Sequence, residues 1–504
     1  MKAIRILSLF LVLLMLVSAF AACGKQPAET TGDDKKPIEN NGRDEIDDSV
    51  PLSLNYGGET VTFFVRTEDD LYKYELACEK LLNDPLYDAI HYRNIDVETR
   101  LGVTIKTVGQ AGDFNSRTEW NERLSTSVLT NTGDYDGTAF YLSTGSPLAK
   151  DGIFYNLCNL EKDYGGYLEF SKPWWNQSLV DELGIFGTLF FAGGSLTITQ
   201  VANGNCVFFN RDLFNERFPE EGDVALYQLV RDGEWTADKM ASYVSQVWTD
   251  VNSNGVVDDG DIVGARSGAL PGGDGSKLDA WIPAMGLRLT ETNMFGEVEI
   301  ALLNSRTVPA FEKMRSIFGS NPGALLMLSA DEESAETSIQ NGNVLFFPET
   351  LNYGTKMRES KVNYGVLPAP KFDENQEDYH IGFGNVASAL AVCSNLSDSR
   401  AEMVSAVLEV LSAESYKQVI PVYYGTILQG QYSREQADAE MYDRILNSFV
   451  FSFGFAYSSL SLGGLGAIFR DLSPSFDIQN HIDSNKDAWN AKLEDLLLAL
   501  EEVS

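Results

Sequence analysis

The sequence predicts an α/β protein built from two lobes, and three observations support this fold class. The chain has 504 residues, which is long enough for two or three domains. Strand-like and helix-like segments alternate along most of it. A predicted strand at residues 344–347 is followed by an extended apolar segment, 362–367, that runs into Pro368 and Pro370. Prolines keep a chain extended, so we expect this stretch to connect two lobes that enclose a cleft.

The overall charge excludes one class of partner. The formal net charge is −35 and the pI is about 4.4. Nucleic-acid phosphates need a basic surface, so we expect no nucleic-acid partner. The charge is instead a feature that keeps a protein soluble.

The N-terminal segment predicts the compartment. Residues 1–22 contain two basic residues, an apolar run and small residues, which is the layout of a signal peptide. Phe20-Ala-Ala-Cys23 resembles a lipobox, which implies diacylation of Cys23 and anchoring at the outer face of a bacterial cell membrane. An ordinary secretory signal cut near Ala22 is the alternative. Residues 23–50 are polar and rich in acids, and predict a flexible tether.

The first part of the chain predicts alternating strands and helices. Residues 59–66 are β-branched and aromatic, which favours a buried strand. A helix at 86–101, a strand at 103–108, a helix at 120–129 and a strand at 135–141 follow. In open α/β sheets ligands bind at the carboxyl ends of the strands, so the residues after each strand are candidates for a site.

The later part continues the pattern. A closing helix is predicted at 484–503, where apolar residues recur at helical spacing. The other expected elements are strands at 187–192 and 382–392 and helices at 310–318, 399–411 and 413–420.

Several short motifs recur in the order found in one family. They are Leu148 to Leu157, Phe209-Asn-Arg-Asp212, Glu234-Trp-Thr236 and Lys361-Val-Asn-Tyr-Gly-Val-Leu-Pro368. The chain resembles the family 1 extracellular solute-binding proteins that serve ABC importers, of the maltodextrin-binding type. The resemblance implies a two-lobed periplasmic-binding-protein-like fold of type II, with lobes joined by three crossings near Asn205, Tyr364 and Thr426. The implied lobes are residues 51–205 with 365–430 and residues 206–364 with 431–504.

The resemblance also implies a function. It predicts a monomeric binding protein that captures a small solute, which we expect to be a sugar or oligosaccharide, and presents it to the membrane subunits of an ABC permease. Sugars need aromatic faces and planar polar groups. The implied ligand-binding residues are Glu68, Asp69, Tyr141, Ser143, Trp174, Trp175, Asn203, Asp279, Trp281, Glu349, Asn352 and Tyr353.

A loop with calcium-like spacing follows residue 249. Oxygen-bearing side chains occupy loop positions 1, 3, 5, 9 and 12, and a glycine occupies position 6. This spacing predicts a structural Ca²⁺ site, and the alternative is an acidic turn without metal. The expected ligands are Asp250, Asn252, Asn254, the carbonyl of Val256, Asp258 and Asp261.

Enzyme motifs are missing from the sequence. His91, His380 and His481 are the three histidines, and none belongs to a metal-binding or triad pattern. We therefore expect no enzymatic activity. Two functions from other classes stay open, namely a hydrolase that processes surface glycans through two carboxylates and a sensor or adhesion lipoprotein with the binding-protein fold. Cys78, Cys158, Cys206 and Cys393 lack metal-binding spacing and predict isolated thiols, although one disulfide is compatible with an extracellular location.

Overall fold

Two large β-sheets organise the described part of the chain in the computed structural model, which covers residues 42–267, 276–326, 332–382, 384–425 and 436–503. Residues 40–504 belong to one compact unit. The predicted signal peptide, Cys23 and most of the predicted tether lie outside the described residues, as does Thr426.

The first sheet has four strands in the order β11-β3-β1-β2. Strand β1 (Glu59–Arg66) is parallel to β2 (Val103–Gln110) and to β3 (Gly137–Tyr141), and β11 (Ser388–Val392) runs antiparallel to β3. Most of β1 and all of β3 are buried. β1 is rich in β-branched and aromatic residues, which fit a buried strand and explain why the sequence predicted it so clearly.

The second sheet has five strands in the order β10-β4-β9-β5-β8. Its strands are β4 (Asn205–Asn210), β5 (Val263–Ser267), β8 (Ala324–Leu326), β9 (Val344–Thr350) and β10 (Tyr364–Leu367). Strand β4 runs antiparallel to both of its neighbours. A separate hairpin consists of β6 (Thr290–Thr292) and β7 (Val298–Ile300).

Helices cover both sheets. The α-helices are Asp70–Tyr74, Pro85–Leu101, Arg117–Leu129, Leu142–Gly145, Gln177–Leu183, Ile198–Ala202, Arg211–Arg217, Val224–Arg231, Ala237–Val244, Ser276–Asp279, Thr307–Phe318, Glu332–Gln340, Gly354–Glu359, Asp398–Glu414, Gln436–Leu446, Phe453–Tyr457 and Ile478–Glu502. Short 3₁₀ turns occur at Arg43–Glu45, Ser146–Leu148, Leu157–Leu160, Lys162–Tyr164, Leu351–Tyr353 and Leu465–Ala467, and a π-helical turn at Ser415–Val419.

Helix Pro85–Leu101 shows how local sequence sets the ends of an element. The carboxylate of Asp84 accepts hydrogen bonds from two backbone N–H groups of the first turn, and Pro85 begins the helix without an N–H to satisfy. Gly102 ends it with a φ of 60°, a left-handed conformation that glycine adopts without strain. The predicted helix at 86–101 is therefore confirmed, and its buried face packs on the first sheet.

The chain passes between the two sheets at two places within the described residues. The first crossing joins helix Ile198–Ala202 to β4, and the second joins β10 to β11. The predicted crossing at Thr426 falls outside the described residues, between the π-helical turn and helix Gln436–Leu446. Residues 447–452 then run beside the second crossing, because Ile381 N–H donates to Ser448 and Val450 N–H donates to Ile381.

The second crossing begins later than the sequence predicted. Tyr364 is the first residue of β10 and pairs with Asn210 of β4, so it lies inside the second sheet. Lys371 still bridges to Thr236 of the second lobe. Residues 365–371 therefore belong with the second lobe, because hydrogen bonds to that sheet hold them.

A 3₁₀ turn and helix Gly354–Glu359 follow β9. Two further local expectations need correction. Residues 187–192 make isolated bridges through Thr188 and Ala192 and form no strand. The two helices predicted between 399 and 420 are a single helix, Asp398–Glu414, that continues into the π-helical turn.

The cysteines and the membrane prediction can be placed in this fold. The four cysteines after Cys23 are free thiols, three of them buried and Cys158 partly buried. Among the described residues, the helices are too short or too polar to cross a bilayer.

Candidate functional site

A buried arginine at the carboxyl end of β1 connects the first sheet to the second crossing. Arg66 is the last residue of β1 and is 1% exposed. Its Nη2 donates to the carbonyl oxygen of Val386 at 2.6 Å and to the hydroxyl of Ser388 at 3.2 Å. Its Nη1 lies 3.0 Å from a carboxylate oxygen of Glu68. The predicted ligand residue Glu68 is thus held at the sheet edge by an ion pair.

Two tyrosines surround this arginine. The guanidinium carbon lies 3.8 Å from the ring centroid of Tyr72 and 5.1 Å from that of Tyr141, within cation–π range. The Tyr72 hydroxyl accepts from Asn203 Nδ2 at 3.4 Å, and the Tyr141 hydroxyl donates to Asn385 Oδ1 at 3.3 Å. Burial raises the pKa of Tyr141 to about 12, so this hydroxyl stays protonated at neutral pH.

A buried carboxyl group, that of Glu75, belongs to a chain of hydrogen bonds near the same sheet edge. Glu75 accepts a hydrogen bond from the hydroxyl of Thr199 at 2.8 Å, and Thr199 in turn accepts from the N–H of Ser388 at 3.0 Å. Burial raises the pKa of Glu75 to about 7. This chain of hydrogen bonds links the segment after β1 to the helix before the first crossing and to β11.

The second lobe contributes its own ion pair. Lys277 pairs with Glu349, near the end of β9. Asn205 Nδ2 donates to the carbonyl oxygen of Lys277 at 3.1 Å, and the N–H of Leu351 donates to Gly204 at 2.8 Å. The groups after β9 therefore contact the first crossing.

The first crossing joins the two sets of groups. Asn203 contacts Tyr72 of the first lobe, and Asn205, two residues later, contacts Lys277 of the second lobe. The second crossing lies against the same residues, since Gly384 N–H donates to Asn203 at 2.7 Å and Asn205 N–H donates to Gly382 at 3.0 Å. Polar and aromatic groups of both lobes thus converge where the two crossings touch. We call this set the crossing cluster, and its members are Arg66, Tyr72, Tyr141, Asn203, Asn205, Lys277 and Glu349.

A third ion pair lies close to the crossing cluster. The buried carboxylate of Asp279 accepts from Arg470 Nε at 2.9 Å. The charge of Arg470 acts on Tyr141, where it opposes the rise in the tyrosine pKa that burial causes. Ala280, the next residue after Asp279, accepts from Gly382 N–H at 3.3 Å, so this pair also adjoins the second crossing.

The structure brings some of the predicted residues together. Glu68, Tyr141, Asn203 and Glu349 all belong to the crossing cluster or contact it. Asn352 and Tyr353 follow in the 3₁₀ turn after β9 and are partly buried. Ser143 is 2% exposed, directly after β3.

The predicted tryptophans are placed elsewhere, which corrects their assignment to the cleft. Trp174 and Trp175 are buried in the first lobe, and each indole N–H donates to the carboxylate of Glu409 at 3.0 Å. Trp281 is fully buried against Phe318, with ring centroids 5.5 Å apart. An enclosed indole has no face left for stacking on a sugar.

Asp69 also has a structural role. Its carboxylate accepts from the N–H of Leu71 at 2.8 Å and caps helix Asp70–Tyr74. The cap turns the chain at the end of β1, so that Tyr72 faces Arg66.

Five members of the site or its surroundings were not predicted from the sequence. They are Arg66, Tyr72, Lys277, Asn385 and Arg470. One signal was available, because Arg66 is a charged residue at the end of an otherwise apolar strand, at the edge where ligands bind.

The predicted calcium loop forms a tight turn held by its own side chains. Asp250 accepts from the N–H groups of Asn254 and Gly255, at 3.1 and 2.7 Å. The amide nitrogens of Asn252 and Asn254 donate to Asp258 Oδ2, at 2.9 and 2.6 Å. These hydrogen bonds lower the pKa of Asp258 below its ordinary value.

The last residue of this loop is engaged differently. Asp261 is 1% exposed and accepts from the indole N–H of Trp248 and from the N–H of Val251, both at 3.0 Å. Within the described residues, no group of three or more His, Cys, Asp or Glu side chains is arranged to hold a metal ion. In a calcium-bound loop the amides of Asn252 and Asn254 would have to rotate so that oxygen, not nitrogen, faces the ion.

No protein-family model and no curated protein matches the sequence. The structure is similar to a cyclic α-maltosyl-1,6-maltose binding protein from Arthrobacter globiformis, with a TM-score of 0.58, 13% identity and coverage of 87% of this chain and 100% of the other.

Two further solved structures are similar. A cyclo/maltodextrin-binding protein in complex with maltotetraose has a TM-score of 0.53 at 12% identity, over 89% of this chain and 98% of its own. An ABC substrate-binding protein from Listeria monocytogenes in complex with cycloalternan has a TM-score of 0.51 at 12% identity, over 87% and 99%. The predicted fold is thereby confirmed, and the chain has the two-lobed α/β fold of these binding proteins.

Proposed function

We propose that this chain is the substrate-binding protein of an ABC importer and that it captures a carbohydrate between its lobes. The observation that carries the proposal is the crossing cluster, where Arg66, Tyr72 and Tyr141 of one lobe and Lys277 and Glu349 of the other converge on the crossings. Three similar structures are named as binding proteins for sugars or are solved with a sugar.

The charges of this region favour an uncharged ligand. Among the described residues, three cations here are each paired with a carboxylate, in the pairs Arg66–Glu68, Lys277–Glu349 and Arg470–Asp279. Each pair is neutral as a whole, so these three pairs add no excess of either charge. A sugar hydroxyl donates and accepts at once, so a neutral polyol matches this set better than an anion or a cation does.

The ligand-binding residues that we retain lie at the crossing cluster and after β9. They are Glu68, Tyr141, Asn203, Glu349, Asn352 and Tyr353. Burial raises the pKa of Tyr353 above its ordinary value, so its hydroxyl is neutral. The aromatic ring of Tyr353 is a separate candidate, as a stacking face for a sugar.

Closure follows from the placement of these groups on both lobes. A ligand that bonds to Glu68 and to Glu349 at once favours the arrangement in which the lobes are closed. Asn203–Asn205 of the first crossing lies against Gly384 of the second, and a few such residues between lobes can absorb the rotation of a hinge. The closed form is then the one that a permease recognises.

The cellular context is part of the proposal. Export through residues 1–22, diacylation of Cys23 and a tether at 23–50 would hold the protein at the outer face of the membrane, next to its permease. A sensor lipoprotein would share these features. Uptake of a radiolabelled sugar by cells with and without the gene separates transport from sensing, since a sensor alters gene expression without being required for entry.

A bound calcium ion is also proposed. Asp250, Asn252, Asn254, Asp258 and the carbonyl of Val256 would hold it after the two amides rotate, and the ion would supply rigidity to an exposed loop. Its role would be structural, because the loop's side chains bond to one another, to the backbone of Val251 and to Trp248 next to the loop.

The central test is calorimetric titration of the purified chain with maltotetraose and with cyclic maltodextrins. We expect saturable binding, and Glu349→Gln should weaken it about tenfold, because a charge-assisted hydrogen bond is lost. The exposed Glu494 on the closing helix supplies the matched control, Glu494→Gln, which should bind like the natural chain. Release of reducing ends from the sugar, abolished by a single Glu→Gln change, would instead show a hydrolase. No binding of any sugar would overturn the carbohydrate proposal.

A further inference from the structure

The side chain of Thr199 lies at the centre of a buried hydrogen-bond network next to the crossing cluster. Thr199 is fully buried in helix Ile198–Ala202, which leads into the first crossing. Its hydroxyl donates to Glu75 Oε2 at 2.8 Å and accepts from the Ser388 N–H at 3.0 Å. Its carbonyl oxygen accepts from Asn203 Nδ2 at 2.8 Å and from the Asn203 N–H at 3.0 Å. One residue therefore connects a buried carboxyl group with both crossings.

The backbone fixes the direction of the hydrogen bond between Thr199 and Glu75. The N–H of Ser388 can only donate, so it occupies a lone pair of the Thr199 hydroxyl. The hydroxyl proton then points at Glu75, which accepts it. An ionised carboxylate only accepts hydrogen bonds, so the ionised form of Glu75 matches this arrangement. The bond is charge-assisted in that form, and such bonds are about twice as strong as neutral ones.

A protonated Glu75 fits the network less well. Glu75 Oε1 makes no hydrogen bond with the described residues, so a proton on Oε1 would be a buried donor without an acceptor among them. A proton on Oε2 would meet the proton of the Thr199 hydroxyl and force that hydroxyl to turn away. Either position loses one hydrogen bond relative to the carboxylate. Protonation therefore weakens the contact between Glu75 and Thr199.

The charged and titratable neighbours of Glu75 lie on β1 and on the two helices that follow it. Arg66, which also pairs with Glu68, favours the carboxylate form by its charge. Arg93 Nη1 donates to the backbone carbonyl of Glu75 at 3.1 Å, and burial raises the pKa of Tyr72, so that hydroxyl is neutral. Burial raises the pKa of Glu75 to about 7, while hydrogen bonds from two hydroxyls and the charge of Arg66 oppose the rise. Both forms of Glu75 are therefore populated near neutral pH.

We propose that Glu75 is a positioning residue for the crossing cluster: its carboxylate form holds the Thr199 hydroxyl and thereby fixes the start of the first crossing and the start of β11 in the arrangement that receives the ligand. Glu75 is 1% exposed, so it acts through these residues and not by touching a ligand. The effect extends to Arg66, whose Nη2 donates to the Ser388 hydroxyl at 3.2 Å. The inference rests on the proposed function for the ligand, but the network can be tested without any sugar.

The first experiment follows the amide signals of Asn203 and Ser388 by NMR from about pH 5 to 9, without sugar. In the natural chain both signals should shift with one midpoint near pH 7, because ionisation of Glu75 changes the hydrogen bond of Thr199. In Glu75→Gln the shift with this midpoint should be absent. No such shift in the natural chain, or the same shift in Glu75→Gln, would overturn the proposal.

Glu409 supplies the matched control. Burial raises the pKa of this carboxyl group to about 8, but its partners are the indoles of Trp174 and Trp175 and not residues of the crossings. Glu409→Gln should therefore leave the midpoint near pH 7 unchanged.

Two substitutions of Thr199 test the route through its hydroxyl. Thr199→Val retains Glu75 but removes the hydroxyl, and it should reduce the shift of the Ser388 amide strongly. Thr199→Ser keeps a hydroxyl and should preserve the shift. Circular dichroism checks that each variant folds, and Thr199→Val decides if Glu75→Gln does not fold. An unchanged shift in Thr199→Val would contradict the proposed route.

Titration with maltotetraose at pH 6 and at pH 8 measures the consequence for the ligand. The affinity of the natural chain should rise about fivefold between these values, because one hydrogen bond of the supporting network is regained as Glu75 ionises. Glu75→Gln should lose most of this pH dependence, whereas Glu409→Gln and Thr199→Ser should keep it. Binding that is independent of pH in the natural chain would contradict the positioning role. If maltotetraose binds at neither pH, the carbohydrate proposal fails, and the NMR titration still decides whether Glu75 holds the crossings.

Discussion

Arg66 and Val386 are bonded across 320 residues of sequence, with Nη2 of the arginine 2.6 Å from the carbonyl oxygen. Arg66 ends a strand of the first sheet, and Val386 belongs to the second crossing, close to β11. The same guanidinium pairs with Glu68, which we propose as a ligand residue. One buried cation therefore contacts both the proposed site and a crossing.

Arg66→Lys should loosen the second crossing. Lysine keeps the positive charge but cannot reach Glu68, Val386 and Ser388 with a planar fork, so we expect a loss of about 2 kcal/mol in the free energy of unfolding. Urea denaturation measures this loss, and hydrogen exchange should show faster exchange of the amides around residue 386.

The exposed Arg231 supplies the control for that experiment. It pairs with Glu440 at the surface, where both side chains are more than one-third exposed. Arg231→Lys makes the same chemical change and should alter the free energy of unfolding by less than about 1 kcal/mol. Equal effects of the two substitutions would contradict the role assigned to the buried fork.

Asp438→Asn should strongly destabilise the second lobe. Asp438 and Arg211 are both 1% exposed, and the carboxylate accepts from Arg211 at 2.8 Å and from the Tyr227 hydroxyl at 2.6 Å. The substitution removes a carboxylate charge that compensates the buried guanidinium of Arg211, which costs about 3 kcal/mol or more. Urea denaturation measures the loss, and the neighbouring exposed Glu440→Gln should cost less than about 1 kcal/mol. A small effect of Asp438→Asn would mean that the partner Asp223 alone holds the arginine.

Glu409→Gln should change how stability depends on pH. Burial raises the pKa of Glu409 to about 8 although two indoles donate to its carboxylate. Between the ordinary glutamate pKa, about 4.3, and this value, the folded state holds a proton that the unfolded state releases. The contribution of Glu409 to stability is therefore fully present below about pH 4 and decreases as the pH rises toward 8.

Thermal melts across pH 5 to 8 test this sign. The melting temperature of the natural chain should fall relative to that of Glu409→Gln as the pH rises, because glutamine has no proton to lose. Glu494→Gln, at an exposed position, should follow the natural chain at every pH. A difference that stays constant with pH would show that the carboxyl is already ionised at pH 5 in the folded protein.

Much of the fold could be predicted from the sequence because its strands contain short runs of β-branched and aromatic residues. The predicted strands at 59–66 and 344–347 match β1 and β9, and both are buried along most of their length. The position of the second crossing could not be predicted in the same way. An extended apolar segment followed by prolines has the same pattern whether it pairs in a sheet or bridges two lobes, and Tyr364–Leu367 pairs with β4.

The site was predicted only where sequence position determines geometry. Residues that directly follow parallel strands meet at one sheet edge, which is why Glu68 and Tyr141 lie near the same arginine. Sequence position does not determine the direction of a large aromatic side chain in the same way. Trp174 was predicted to bind ligand, but its indole is buried and donates a hydrogen bond to Glu409, which is 235 residues away in the sequence.

Calcium should stabilise the loop at residues 250–261 and should be visible in the fluorescence of Trp248. The indole N–H of Trp248 donates to Asp261 at 3.0 Å, and the ring is 38% exposed. Asp258 N–H donates to the same carboxylate at 3.3 Å, so an ion bound at Asp258 changes the environment of this indole. A ligand that binds only the folded state raises stability by about 2.7 kcal/mol at a free concentration about 100 times Kd. Calcium should therefore raise the melting temperature and alter the emission, and Trp248→Phe should remove only the emission change.

Asp258→Ala should abolish both effects, whereas Glu297→Gln, an acid lost from the β6–β7 hairpin, should preserve them. A melting temperature that calcium leaves unchanged would mean that the side-chain hydrogen bonds of the loop suffice without a metal.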